Sequence, residues 1–148
     1  KGRLVCVNHG VDVGRTVTYI SNVGIARYVD FLDPLNRLDL LHEYQRADVV
    51  ADQFIIGPGL TTWEALSTGK PVLVKANPEL STPLYDKDQP PLLDCASEKQ
   101  IASQLARVSD SAYRKEVGEI GREWVLRNHS PQAVVSSIVT NSETALRQ

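Results

Sequence analysis

The sequence has no methionine, not even at its first position, and only two cysteines and two tryptophans in 148 residues. Cys6 and Cys95 lie far apart, without the short spacing of a zinc or dithiol site, and Cys6 falls in a strand-like run where a buried, reduced thiol is expected. His9, His42 and His129 show no spacing that would gather a metal, so no metal site and no cofactor are expected. No apolar run approaches membrane-spanning length and no signal peptide is visible; with unpaired cysteines this points to a cytoplasmic protein without a membrane span. Lys and Arg number 16 against 18 Asp and Glu, and the charges are dispersed, which argues against a nucleic-acid-binding face. No G-x-G-x-x-G follows the first strand-like run, which argues against an NAD-dependent oxidoreductase. The missing methionine and the immediate opening into a strand at Arg3–Val7 give the expectation of one domain, residues 1–148, belonging to a longer protein.

What the chain does have is concentrated between Ala47 and Leu73, ADVVADQFIIGPGLTTWEALSTGKPVL. Asp48–Ala51 reads as a buried strand, and Gly57-Pro58-Gly59 forms a loop in which glycine permits backbone angles closed to other residues. Thr61 or Thr62 is expected to cap the following helix, Glu64 to lie in its first turn, and Gly69 to end it before the strand Val72–Val74. A glycine loop entering a helix is a ready anion site, because the first amides of a helix lack internal acceptors. A tight turn that only saves space would be spelled the same way.

The string GPGLTTWEALSTGKPVL resembles the donor-site segment of GT-B retaining glycosyltransferases, the large family that includes glycogen synthases and sucrose synthases. Gly59 matches the loop glycine, Glu64-Ala65 the second Glu and its neighbour, and Gly69, Pro71 and Val72 the tail. The resemblance implies that Glu64 binds the ribose of a nucleotide sugar and that the Gly57, Gly59, Leu60 and Thr61 backbone faces the phosphates and the sugar. It places Asp52 and Gln53 near the same pocket, as in branches of the family with Asp-Gln before the loop. His9, after the first strand, becomes a candidate donor contact, although a loop histidine is the simpler reading. Leu32 and Asp33 become candidates for the base, although packing and capping account for them. The family's first Glu corresponds to Ile56, which cannot make a polar contact, so no catalytic residue is assigned.

The rest of the chain supplies a frame. Leu4–Asn8 reads as a strand, Val11–Gly24 as a helix, Arg27–Leu32 as a strand, and Leu35–Ala47 as a helix capped by Asp33. Lys75–Pro91 reads as an irregular loop, with Glu79 on it as a further acid, and Leu92–Cys95 as a short edge strand. Helices are expected over Glu98–Val108 with Ser97 as cap, Ser111–Asn128, and Gln132–Leu146 behind Ser130-Pro131. His42 sits on a solvated helix face, and Trp63 and Trp124 read as core.

The alternation predicts an α/β, Rossmann-like parallel sheet with helices on both faces and with Leu4–Asn8 and Asp48–Ala51 in its interior. By resemblance it is one half of a GT-B fold without its first strand–helix unit. The family takes a basic pair from that unit to hold the diphosphate; Lys75 is the candidate substitute. The implied function is donor binding in a hexosyltransferase, with the acceptor domain elsewhere in the same full-length chain, so that the isolated chain is inactive. The competing reading is a non-catalytic Rossmann-like module that binds a nucleotide, a partner or nothing, favoured by Ile56 and the missing basic pair.

Overall fold

The computed structural model describes residues 2–145, the side chains at 80, 82–84, 141 and 143–145 excepted. The chain is an α/β fold in which every described strand pair is parallel. It divides into two compact units, Lys1–Leu40 and Leu41–Gln148.

In the first unit, β1 (Leu4–Val7) and β2 (Val29–Leu32) pair in parallel, with Leu4 opposite Val29 and Val7 opposite Leu32. The helix α1 (Val13–Asn22) connects them, followed by a 3-10 turn over Ala26–Tyr28. Ile20 is the buried residue of α1. Arg3 clasps Asp30 with two guanidinium nitrogens across the strand pair. The next helix, α2 (Arg37–Arg46), starts later than the sequence suggests. Asn36, not Asp33, caps it, its side-chain oxygen accepting from the Leu38 and Asp39 amides at 3.0 Å each.

In the second unit, β3 (Val50–Ala51), β4 (Val72–Val74) and β5 (Leu93–Asp94) form a parallel sheet in the order β3-β4-β5. The central strand is β4, all three of whose residues are buried. This corrects the expected interior position of Asp48–Ala51. In its own sheet β3 is an edge strand, with Val50 buried and Ala51 exposed. In the first unit Leu4, Val5 and Val7 are exposed, so an apolar spelling did not mean burial on both faces there either.

The helices of this unit are α3 (Leu60–Ser67), α4 (Pro78–Tyr85), α5 (Glu98–Val108), α6 (Ser111–His129) and α7 (Pro131–Ala145). The helix α4 lies in the segment expected to be an irregular loop. Pro78 is its first residue, where a missing amide hydrogen costs nothing, and Glu79 sits in its first turn. Ser97 caps α5 as expected, accepting from the Gln100 amide, and the Ser130 hydroxyl accepts from Ala133 at the start of α7. Asp110 caps α6 by accepting from Ala112 and Tyr113. The expected end of α7 at Leu146 lies outside the described residues.

Leu73, Leu93, Cys95 and Val108 form the core between the sheet and α5, with Phe54, Ile101, Tyr113 and Val117 packed against them. Burial pushes the Cys95 thiol up, helped by Asp94 beside it, so it is an inert packing group. Cys6 is only half-buried. On the other side α3 lies against α6 at glycine distance. A Cβ on Gly118 would stand 2.1 Å from the Gly69 carbonyl oxygen, and one on Gly121 2.6 Å from Leu66 Cδ2.

An aromatic cluster completes this contact. Trp63 of α3 stacks on Trp124 and on His129 of α6, with ring centroids 5.5 and 5.0 Å apart. Tyr85 meets Trp124 edge-on at 4.8 Å, and its hydroxyl lies 3.0 Å from His129 Nε2. Trp124 Nε1 donates to the Asp88 carbonyl at 2.7 Å. Trp63 and Trp124 are therefore packing residues, as read from sequence.

Burial lowers the affinity of His129 for a proton, so its imidazole is held neutral in the fold. The unfolded chain takes up that proton as pH falls through about 6.5, while the folded chain resists it until lower pH. Stability is thus expected to fall as pH drops below about 6.5, and His129→Gln should flatten the dependence. Thermal melts of both proteins between pH 7.5 and 5 check this. Asp88, held low by Asn128 and Arg127, loses its contribution only below the ordinary aspartate range, so the two effects separate.

Candidate functional site

The site grows from the C-terminal end of β3. Asp52 and Gln53 follow the strand, residues 54–59 form the glycine loop, and α3 leaves from it. The neighbouring strand holds the loop's base: the Asp52 amide donates to Leu73 O at 2.9 Å and the Lys75 amide to Gln53 O at 3.1 Å. Asn77 Nδ2 donates to the Ile56 carbonyl at 3.0 Å and fixes the outer arm of the loop.

The two loop glycines are needed for different reasons. Gly57 is buried with φ +138°, an angle side chains rarely adopt. Gly59 has extended backbone at φ −111°, open to any residue. What Gly59 supplies is room, because a Cβ there would stand 3.3 Å from Asp52 Oδ2. The Gly59 amide donates to that same oxygen at 2.9 Å, and the hydroxyl of Thr62, which is fully buried, donates to it at 2.6 Å.

The expected capping is corrected by this arrangement. Gly59 is the N-cap and has no side chain to offer; Thr61 and Thr62 lie inside the helix. The carboxylate of Asp52 does the capping, reaching across the loop. A charged oxygen is the stronger acceptor, and Thr62 becomes a donor to it. Glu64 is also displaced, from the first turn to the second, counted from Leu60. The helix dipole acts mainly on the first turn, which weakens the view that Glu64 is present only to complement it.

Tyr44 of α2 joins the group. It is 8% exposed, and its phenol is pushed up chiefly by burial. A hydrogen bond with the Thr61 side chain opposes that shift, while the negative charges of Glu64 and Asp52 add to it. Tyr44, Thr61, Glu64 and Asp52 thus share one neighbourhood, with the phenol protonated. The sequence displayed Tyr44 only as part of the apolar side of α2; no local pattern tied it to Thr61.

Asp52, Gln53, Gly57, Gly59, Leu60, Thr61 and Glu64 therefore lie on one strand–loop–helix unit, with Glu64 half-buried and Leu60 exposed at 69%. Lys75 follows β4 at the same strand edge, and Glu79 is exposed on α4. His9 belongs to the first unit, exposed just past β1, where the Asn8 amide donates to Leu32 O. Within that unit His9, Leu32 and Asp33 sit at the C-terminal ends of the two paired strands. Ile56 is 65% exposed, where the resemblance would have an acid. Among the described residues no group of His, Cys, Asp and Glu could hold a metal ion, and no helix is long and apolar enough to cross a membrane.

No family profile matches the chain, and no curated protein matches it in sequence. Among solved structures it is similar to the sucrose-phosphate synthase of Thermosynechococcus elongatus, with TM-score 0.74 and 18% identity. The fold is GT-B-like. The match covers 99% of this chain and 39% of the synthase, so the chain spans about two fifths of that protein's length.

Chemically, the loop and the start of α3 offer helix-end amides at Leu60 and Thr61, the Thr61 hydroxyl, and two carboxylates. Donors and acceptors alternate over a short distance. Such a surface suits a ligand rich in hydroxyl groups, each of which both donates and accepts.

Proposed function

We propose that this chain binds the nucleotide-sugar donor of a glycosyltransferase, with Glu64 accepting hydrogen bonds from the ribose hydroxyls. The observation that carries the reading is the position of Glu64: half-buried on α3, beside the Tyr44 phenol, behind a glycine loop braced by Asp52. The motif resemblance over Gly59–Val72 and the fold likeness to a sucrose-phosphate synthase support it. The donor's phosphates and sugar face the Gly59, Leu60 and Thr61 backbone, and Gln53 and Lys75 lie at the adjoining strand ends. An acceptor domain in the same full-length protein completes the enzyme, which transfers a hexosyl group. No catalytic residue is assigned, and no metal is needed where helix ends and basic groups can stabilise a leaving diphosphate.

Glu64→Gln is the test. Hydrogen bonds to a charged acceptor contribute about 1.5–3 kcal/mol, so the variant should bind a nucleoside diphosphate sugar about ten-fold more weakly or worse, with little change in melting temperature. Calorimetric titration with a panel of nucleoside diphosphates and their sugar conjugates measures it. Equal affinity of the two proteins for a nucleotide that the wild type clearly binds would remove Glu64 from the site.

The second reading, a non-catalytic module of the same fold, is favoured by Ile56, an exposed apolar side chain where a donor-facing acid would be required. Failure of every sugar nucleotide in the panel to bind would favour it.

A further inference from the structure

We propose a second binding site, for a phosphate group, at the edge of the sheet opposite the candidate donor site. It is a cleft of about 360 Å³ at the N-terminal ends of β3 and β4, lined by Lys70 together with Ser111, Arg114 and Lys115 of α6. Asp52 and Lys75 lie at the other ends of the same strands, so the proposal does not rest on the donor-binding reading.

Volume and charge together point to the ligand. The volume is at the lower end of the roughly 300–1,000 Å³ range of small-molecule sites. Such sites are mostly apolar, whereas here three cations line the cleft against two carboxylates, Asp48 and Glu119. Arg114 is set in place before any ligand arrives. Its Nη1 donates to the Val108 carbonyl at 2.7 Å and its Nη2 lies 3.2 Å from Asp48 Oδ1, with the side chain 27% exposed. A guanidinium carries five N–H groups in a fixed fork, and these contacts engage two of them. Lys70 is half-buried and, among the described residues, has no ion-pair partner. The two carboxylates are weak competitors. Asp48 is 82% exposed, and the Lys115–Glu119 pair is long, at 3.7 Å, with both members mostly in solvent. The Ala112 and Tyr113 amides at the start of α6 are already bonded to Asp110, so the site is built from side chains. Its walls keep a fixed spacing. Gly69, at φ +76°, approaches Gly118 so closely that no Cβ would fit there, and Pro71 is fully buried. Lys70 stands between these two anchors, which holds it at a set distance from α6 and lowers the cost of ordering the site around an anion.

The probe is inorganic phosphate at constant ionic strength, read on the backbone amide resonances of Lys70, Ser111 and Lys115 in the full chain. Constant ionic strength removes the general screening of surface charge. In the wild type these resonances should shift saturably. Lys70→Gln should weaken phosphate binding at least about ten-fold with little change in melting temperature. Lys115→Gln is the second variant and should weaken it too. Lys99→Gln on α5, a cation outside the cleft, should leave the affinity unchanged. Glycerol phosphate is the second ligand: tighter binding than inorganic phosphate assigns the cleft to a phosphate carried on a small polar molecule, and equal binding assigns it to the free ion. Shifts that grow without saturating, equal affinity in wild type and Lys70→Gln, or an equal loss in Lys99→Gln would overturn the site. The readout needs no sugar nucleotide and no residue of the candidate donor site, so it stands or falls separately from the Glu64 titration.

Discussion

Trp124→Ala is expected to destabilise the protein by about 3–5 kcal/mol, the range for truncating a buried aromatic. Trp124 is 1% exposed and contacts Trp63, Tyr85 and His129 at once. Since domains are typically stable by only about 5–15 kcal/mol, the variant will be close to unfolded at physiological temperature. For a chain of this size each kcal/mol lowers the melting temperature by about 2–4 °C, giving a drop of about 6–20 °C in a calorimetric scan. Trp124→Phe separates the two parts of that loss. It keeps most of the apolar surface but leaves the Asp88 carbonyl without the indole donor that reaches it at 2.7 Å, at a cost of about 1–3 kcal/mol. A melting temperature for Trp124→Ala within a degree or two of wild type would show that the cluster does not hold α3 against α6.

Gly118→Ala is the second large effect, and its sign is opposite to what helix propensity predicts. Alanine in a helix interior is favoured over glycine by about 0.8–1 kcal/mol. At Gly118, however, the added methyl would stand 2.1 Å from the Gly69 carbonyl oxygen, a backbone atom that cannot turn aside as a side chain can. Gly69 is itself held at φ +76° at the end of α3, and its amide donates to Leu66 O. The two helices must separate or α3 must lose its termination. Overpacking costs about 1–3 kcal/mol and more where backbone is involved, so a net loss of about 2 kcal/mol or greater is expected. Gly14→Ala in α1 is the control. Nothing lies within 4 Å of a Cβ there and φ is ordinary, so the same chemical change should be neutral or slightly stabilising. Chemical denaturation of both variants gives the comparison; similar midpoints would show that the close approach of α3 and α6 does not govern stability.

Much of the fold was legible in the chain itself. The helices α5 and α6 were marked by apolar residues at helical spacing, and Gly24 and Gly69 stopped helices where expected, both at positive φ. The segment after β4 was misread, because prolines that break a helix interior are harmless at its first residue, and Pro78 occupies that position. The strand interiors were misread because an apolar run records the water it avoids, not which layer covers it. Val50 is buried at the edge of its sheet, with β4 on one side only.

The candidate site divides in the same way. By itself the sequence determined that a strand, a glycine loop and a helix follow one another from Ala47 to Leu73, and that Gly57, Gly59 and Glu64 stand close together there. These are matters of backbone freedom and period, which neighbouring residues settle among themselves. Only the tertiary structure decided what those residues do. Asp52 caps the helix because the loop folds back on its strand, Glu64 falls in the second turn because Gly59 begins the first, and Tyr44 arrives from another helix. The physical reason is that a hydrogen bond or a close contact is set by distance in space. Gly118 and Gly69, like Trp124 and Trp63, are brought together only by packing, and no local pattern in the chain records that meeting.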